Sequence, residues 1–256
     1  MTNMLDGKVV VITGGSSGIG RGIAFSARSH GAKCIVIADL MPEPREGGEP
    51  THVVLAKDGI DAVFVECDVT SSAALDAVME AARERGGVDL MVCNAGIALP
   101  DDGPNISAER FRQLISVNLE GAALSAQKAI SQMKELRKQG SVVFTSSMGG
   151  LKGSAVTVGY SATKGAVNLL TASLADAHGP GGIRVNAVCP GLIETDLVKS
   201  SPAVGEMFEP MRTRMPLRRL GQPGEVGDVV AWLGSSYSTF VTGVSLPVDG
   251  GQTAVV

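Results

Sequence analysis

No apolar run in the sequence approaches the ~18 residues that a membrane-spanning helix requires, so no membrane span is expected. Cysteine is scarce. Cys34, Cys67, Cys93 and Cys189 are too few and too scattered for a disulfide scaffold, and none stands in a Cys-x-x-Cys pair. Reduced thiols and a cytoplasmic location are the expectation. Histidine is scarcer still: His30, His52 and His178 lack ligand spacing such as His-Glu-x-x-His, so no metal site is expected. The first apolar run, Val9 to Ile12, passes straight into glycines, and no signal peptide is expected there. Positive charge is nowhere concentrated. Lys and Arg total 22 against 26 Asp and Glu, for a net charge of −4, which argues against a nucleic-acid partner. No linker, repeat or low-complexity tract divides the chain, so residues 1–256 read as a single domain.

What is present is the composition of a folded globular protein: 256 residues, 44% hydrophobic and 19% charged. A chain of this length buries about three-quarters of its unfolded surface. Glycine is abundant, 33 residues with no collagen-like period, and marks turns or close backbone contacts. Short β-rich runs alternate with helix-length segments. The runs are Val9–Ile12, Cys34–Ala38, Ala62–Glu66, Leu90–Cys93, Val142–Thr145, Arg184–Val188 and Val244–Pro247. Most are apolar on both faces, as parallel strands are when helices cover both sides. Helices are predicted near Gly18–His30, Ser71–Arg85, Ser107–Lys138, Thr157–His178 and Pro223–Ser235, with Ser71 and Ser107 as caps. This order predicts an α/β fold: one doubly wound, Rossmann-type domain with a mainly parallel seven-stranded sheet and helices on both faces. One crossover is irregular. Met41–Pro50 holds three prolines and two glycines, which prevent a regular helix, and only a short one, Thr51–Lys57, is predicted after it. The stretch reads as a surface loop at the sheet edge.

Thr13-Gly14-Gly15-Ser16-Ser17-Gly18-Ile19-Gly20 joins the first strand to the first helix. Glycine lets the backbone turn tightly and approach a ligand. The free amides of the helix start, with the positive end of its dipole, suit a pyrophosphate. The spacing is Gly-x-x-x-Gly-x-Gly rather than the usual Gly-x-Gly-x-x-Gly, and tight strand–helix packing alone would also use glycines. About 20 residues further on, the second strand ends at Asp39, followed by Leu40. A carboxylate there binds both hydroxyls of an adenosine ribose and repels a 2′-phosphate; taken alone it could be a turn residue.

Tyr160-Ser161-Ala162-Thr163-Lys164 falls in a predicted helix, where Tyr160 and Lys164 share a face. Tyrosine titrates near ~10 and becomes a useful base only when its phenolate is stabilised. A nearby ammonium does this, and lowering the pKa by about three units takes roughly 4 kcal/mol. An ordinary surface Tyr–Lys pair has the same spacing. Ser147 follows the fifth strand, at the sheet end where doubly wound folds bind ligands, and its hydroxyl suits a carbonyl or alkoxide oxygen. Simple turn chemistry favours serine there too.

Four ordered motifs, Thr13 to Gly20, Asn94-Ala95-Gly96, Ser147, and Tyr160 with Lys164, resemble those of the short-chain dehydrogenase/reductase family over nearly the whole chain. The resemblance implies that Tyr160 is the general acid/base and that Ser147 positions the reacting oxygen. It implies that Lys164 holds the nicotinamide ribose and lowers the tyrosine pKa. Asn118, in Ser116-Val117-Asn118, would anchor a water of a proton relay. Gly14, Ser16, Ser17, Gly18, Ile19, Gly20, Asp39 and Leu40 would belong to the cofactor site. Asp68-Val69 resembles the adenine-binding pair, Asn94-Ala95-Gly96 steadies the sheet beside the adenine ribose, and Pro190-Gly191 with Ile193-Glu194-Thr195 resembles the grip on the nicotinamide carboxamide.

The family's mobile lid corresponds to about residues 192–220. Met207, Phe208, Met211 and Met215 there suit a hydrophobic substrate, and Met148, Leu99, Leu151 and Val156 extend an apolar pocket. Arg212, Arg214, Arg218 and Arg219 read as a solvated basic edge rather than as a site for an acidic group. The expectation is an NAD-dependent enzyme acting on a secondary alcohol or its ketone, a small and largely apolar molecule. Small residues on the Thr157–His178 helix, with the resemblance, imply a homotetramer. Two rivals remain. An NADP-dependent 3-oxoacyl-thioester reductase is disfavoured by Asp39 and by Ser17 in place of a basic residue. A non-enzymatic dinucleotide-binding regulator is disfavoured because Asn118, Ser147, Tyr160 and Lys164 are all present.

Overall fold

Side chains alternate across a strand, and here both faces are covered. In β1 (Val9–Thr13), Val9 and Val11 enter one core while Val10 and Ile12 enter the other. The computed structural model describes residues 3–195, 212–213 and 215–255. β1 is joined by β2 (Cys34–Asp39), β3 (Asp61–Glu66), β4 (Leu90–Cys93), β5 (Gly140–Thr145), β6 (Ile183–Pro190) and β7 (Ser245–Val248). They form one seven-stranded sheet of order β3-β2-β1-β4-β5-β6-β7, and every pairing is parallel. Each predicted strand is present, with ends shifted by a residue or two.

Helices pack on both faces. α1 (Gly18–Ser29), α2 (Thr51–Lys57) and a late helix, Pro223–Gly234, contribute Ile23, Leu55, Val226 and Val230 to one core. On the other face, α3 (Ser72–Arg83) brings Leu75 and Val78. Among the described residues, no helix is long and apolar enough to cross a membrane. The strand order reverses between β1 and β4, which opens a crevice beyond their C-terminal ends. Thr13 to Gly20, Asp39, Asp68-Val69, Asn94 to Gly96, Ser147 and Pro190-Gly191 stand at or just past the C-terminal ends of their strands.

One expectation needs correction, and another gains a detail. The helix predicted over Ser107–Lys138 is three pieces: α4 (Ala108–Ile115), a π-helical turn at Ser116–Gly121, and α5 (Ala122–Glu135). A π turn inserts one residue without ending the helix, so the apolar pattern on either side does not reveal it. Such turns are frequent at functional sites, and this one carries Asn118. The Met41–Pro50 stretch is irregular, as its prolines demand, and seven of its ten residues are exposed, as a surface loop requires. It folds back over the turn that follows β1. The Ser16 hydroxyl donates to the Met41 carbonyl (2.8 Å), the Arg45 amide donates to Ser17 Oγ (2.8 Å) and Arg21 Nη1 donates to the Glu49 carbonyl (2.9 Å). Pro44, within this strap, is buried.

Candidate active site

The β1–α1 turn is built for close approach. Gly14 and Gly18 have φ of +66° and +53°, the left-handed region that favours glycine. A Cβ on Gly20 would lie 2.0 Å from the Gly14 carbonyl oxygen, so α1 starts directly against the turn. Asn94, just past β4, locks it from the side: Nδ2 donates to the carbonyls of Thr13 (3.0 Å) and Gly14 (3.1 Å). Thr13 Oγ1 accepts from the amides of Asn94 and Ala95 in return. The first amides of α1 have no carbonyl within the helix to bond. From the far side, Pro190 ends β6, the Gly191 amide donates to Val248, and the chain runs on until the Thr195 methyl lies 3.5 Å from the position of a Cβ on Gly18. Ile193 pairs with Gly221 on the way. This glycine-lined cradle beneath Thr195 fits the pyrophosphate of a dinucleotide.

Asp39 ends β2 beside the cradle. Its Oδ2 accepts from the Ser16 amide (3.0 Å) and its Oδ1 from the Leu40 amide (2.8 Å). Each carboxylate oxygen keeps a second lone pair for a ribose hydroxyl. Leu40 is exposed and brings no charge. Asp68 is exposed, with Oδ1 accepting from the amide and hydroxyl of Thr70, while Val69 is buried beside Gly121. One occupant of the cradle was not legible in the sequence. Glu46 Oε1, on the strap, accepts from the Gly18 amide at 3.1 Å. The protein thus holds its own carboxylate at the start of α1, where an anionic ligand would bind.

The candidate catalytic residues come from three elements. Ser147 follows β5 and accepts from the Gly149 amide at 3.0 Å. Tyr160 and Lys164 lie in the first turns of α6 (Val158–His178). Lys164 Nζ donates to the Thr145 carbonyl (2.8 Å) and lies 5.7 Å from the centre of the Tyr160 ring. Asn118 is buried: Oδ1 accepts from the Ile97 amide (2.8 Å) and Nδ2 donates to the Ile97 carbonyl (2.9 Å). Gly96 joins these groups. A Cβ there would lie 3.1 Å from Asn118 Oδ1 and 3.4 Å from Lys164 Nζ. A Cβ on Gly149 would likewise come within 3.4 Å of Ser147 Oγ and 3.8 Å of the Tyr160 ring.

Burial sets the charge states. It pushes the Tyr160 phenol above its ordinary value, and the Ser147 side chain pulls the other way. It draws the Lys164 ammonium down to about 8. Behind them the Cys189 thiol is also raised by burial, and its Sγ donates to Asn168 Oδ1 at 3.7 Å. A neutral phenol beside a serine hydroxyl is equipped to donate a proton to a substrate oxygen, and its conjugate base to take one back.

Of the predicted lid, Met207, Phe208, Met211 and Arg214 lie outside the described residues. Met215 is buried near Gly250. Arg219 forms a two-pronged pair with Glu225 (2.8 and 2.6 Å), and Arg212 donates to the Arg218 carbonyl (3.2 Å), so these cations are engaged within the protein. Leu151 and Val156 are exposed.

A family model described as "Enoyl-(Acyl carrier protein) reductase" matches residues 14–253. The cis-4-hydroxycyclohexanecarboxylate dehydrogenase of Sinomonas cyclohexanicum is 39% identical over 97% of each chain. The meso-2,3-butanediol dehydrogenase of Serratia marcescens is 34% identical over 97% of this chain and 96% of its own. An L-rhamnose 1-dehydrogenase (NAD(P)(+)) of Azotobacter vinelandii is 36% identical over 97% of each. Among solved structures, a short-chain type dehydrogenase/reductase from Mycobacterium marinum superposes with a TM-score of 0.89, at 32% identity, over 99% of this chain and 98% of that one. Fold, crevice, ordered motifs and relatives agree: this chain is an oxidoreductase of the short-chain dehydrogenase/reductase family.

Proposed function

We propose that the chain is an NAD(H)-dependent dehydrogenase/reductase that interconverts a secondary alcohol and its ketone. The observation that carries this is the convergence of Asn118, Ser147, Tyr160 and Lys164 beside a glycine cradle bordered by Asp39. A bound nicotinamide supplies or accepts the hydride. In oxidation, Tyr160 as phenolate takes the hydroxyl proton and Ser147 holds the oxygen as its charge changes. In reduction, the neutral phenol returns the proton. Lys164 would orient the nicotinamide ribose, and Asn118 fixes the backbone at Ile97 beside the reacting groups. Ser16, Ser17 and Ile19 with the turn glycines would hold the pyrophosphate and adenosine, Asp68 and Val69 would border the adenine, and Thr195 would meet the carboxamide. The whole chain acts as one domain in the reducing cytoplasm, in keeping with four free, buried thiols.

The names of two relatives choose the first substrates to try. A panel of cyclic hydroxy acids, vicinal diols, simple secondary alcohols and their ketones, with NAD(H) and NADP(H), is followed by nicotinamide absorbance. Turnover of secondary alcohols with NAD is expected. Turnover confined to 3-oxoacyl thioesters with NADPH would replace this reading with a thioester reductase, and dinucleotide binding without any turnover would replace it with a regulator.

The assembly proposed is a homotetramer. On α6, Ala162, Leu169, Ala172 and Ser173 are exposed at helical spacing, and Leu169 is 74% exposed. Light scattering at micromolar concentration is expected to give four subunits per particle. A monomer would show that this face stays in water.

A further inference from the structure

The helix that carries Tyr160 and Lys164 begins without a cap of its own. The first amides of a helix have no intrahelical partner, and a buried start leaves them costly unless a side chain answers them. Thr157 precedes α6, yet its side chain makes no cap bond. Its hydroxyl is paired with Ser161 Oγ at 3.0 Å instead. The acceptors come from far away in sequence. Asp102, on the loop between β4 and α4, takes the Gly159 amide on Oδ1 (2.6 Å) and the Tyr160 amide on Oδ2 (2.7 Å). Its own backbone carbonyl takes the Val158 amide (2.8 Å). The Ser161 amide is the first to find an acceptor in the adjoining turn, the Thr157 carbonyl at 2.8 Å. Asp102 therefore answers all three preceding donors.

This clamp is buried and closely fitted. Asp102 is 2% exposed. Taking a carboxylate out of water costs free energy unless it is hydrogen-bonded, and here two amides and the positive helix end compensate. Gly159 makes the approach possible, because a Cβ there would lie 2.8 Å from Asp102 Oδ1. The same loop is held at its other end by Asn118, which grips both backbone groups of Ile97. Residues 97–102 thus run as a short tie from Asn118 to the backbone of Tyr160.

We propose that Asp102 is a positioning residue for the reaction: by clamping the first turn of α6 it sets the reach of the Tyr160 phenol toward Ser147 and the substrate oxygen. It touches neither substrate nor cofactor and acts through Tyr160. The inference rests on the reading of Tyr160 as the acid/base.

Two variants test it. Asp102→Asn keeps the volume but turns an NH2 toward one of the two amides, which need an acceptor. Gly159→Ala keeps the carboxylate and improves helix propensity, but drives a methyl into the clamp. Both are measured for kcat, KM, dinucleotide binding, thermal midpoint and amide exchange at Gly159 and Tyr160. The expected result is a fall in kcat of roughly ten- to thirtyfold in each, KM for the dinucleotide and its binding within about twofold, and faster exchange of the two amides. Full kcat in Gly159→Ala, or an Asp102→Asn protein that melts earlier but keeps kcat, would reduce Asp102 to a stability cap and overturn the proposal. So would a loss of dinucleotide binding that matches the loss of kcat. Tyr160→Phe, run beside them, separates the two failures. Turnover retained there removes the acid/base reading itself, whereas turnover lost there and kept in Asp102→Asn removes only the clamp.

Discussion

Tyr160→Phe is expected to lower turnover by at least about a hundredfold and to leave dinucleotide binding nearly unchanged. A hundredfold is about 2.7 kcal/mol of transition-state stabilisation. The substitution removes one oxygen and keeps the ring, so packing in the first turn of α6 and the approach of Lys164 to the ring persist. Among the described residues, the two other titratable groups near the site do not replace the lost group. The Lys164 ammonium is turned to the Thr145 carbonyl, and the Cys189 thiol is held protonated by burial and faces Asn168. The pH dependence follows from the same geometry. Burial holds the Tyr160 phenol protonated at neutral pH, so the acid form dominates. Ketone reduction uses that form and is expected to fall as pH rises through the Tyr160 ionisation. Alcohol oxidation uses the phenolate and is expected to rise over the same range. Rates in both directions, followed upward from pH 6 to beyond pH 10 because burial raises the phenol above its ordinary value, with and without the hydroxyl, check the assignment. Turnover of Tyr160→Phe within a few-fold of the parent protein would remove it.

The sheet was legible because each strand is a short apolar run bounded by glycine, proline or polar residues, and because a helix-length segment separates most of them. The candidate catalytic residues were suggested by Tyr160 and Lys164 one helical turn apart and by Ser147 at a strand end, but these spacings also fit an ordinary surface pair and a turn, and only the family resemblance of the ordered motifs gave them roles and brought in Asn118. The unread parts share a physical cause: they are contacts between residues distant in sequence whose partners are backbone amides. Asp102 meets the amides of Gly159 and Tyr160 across 57 and 58 positions, and nothing in its own neighbourhood marks it. Glu46 meets the Gly18 amide in the same way, across 28 positions. The prolines of Met41–Pro50 were correctly read as preventing helix. They could not say where the loop would go, because its direction is fixed by hydrogen bonds to Ser16, Ser17 and Arg21. The π turn at Asn118 was hidden because it leaves the apolar periodicity of the flanking helices intact.

NAD is expected to be preferred over NADP by roughly a hundredfold or more in kcat/KM. Asp39 is the reason. Charge-assisted bonds that its two oxygens accept from the ribose hydroxyls are worth about 1.5–3 kcal/mol, and each 1.4 kcal/mol is about tenfold. A 2′-phosphate loses those bonds and meets a like charge at short range. The exposed Leu40 beside it offers no cation. Asp39→Ser is expected to shrink the ratio by weakening NAD and relieving the repulsion of NADP. The strap supplies an internal control. Glu46 accepts from the Gly18 amide, where the proposed pyrophosphate, which the two dinucleotides share, would bind, so Glu46→Gln is expected to tighten both by about two- to fivefold. That corresponds to a helix-end charge interaction of about 0.3–1 kcal/mol. The ratio between the cofactors should not move. Steady-state kinetics and direct binding of both dinucleotides to the three proteins decide the matter. Equal efficiencies, or a preference for NADP, would point to Arg45, whose amide already sits on Ser17 Oγ, as the cation that outweighs the carboxylate. A Glu46→Gln protein with altered selectivity would show that the strap reads the ribose and not the pyrophosphate.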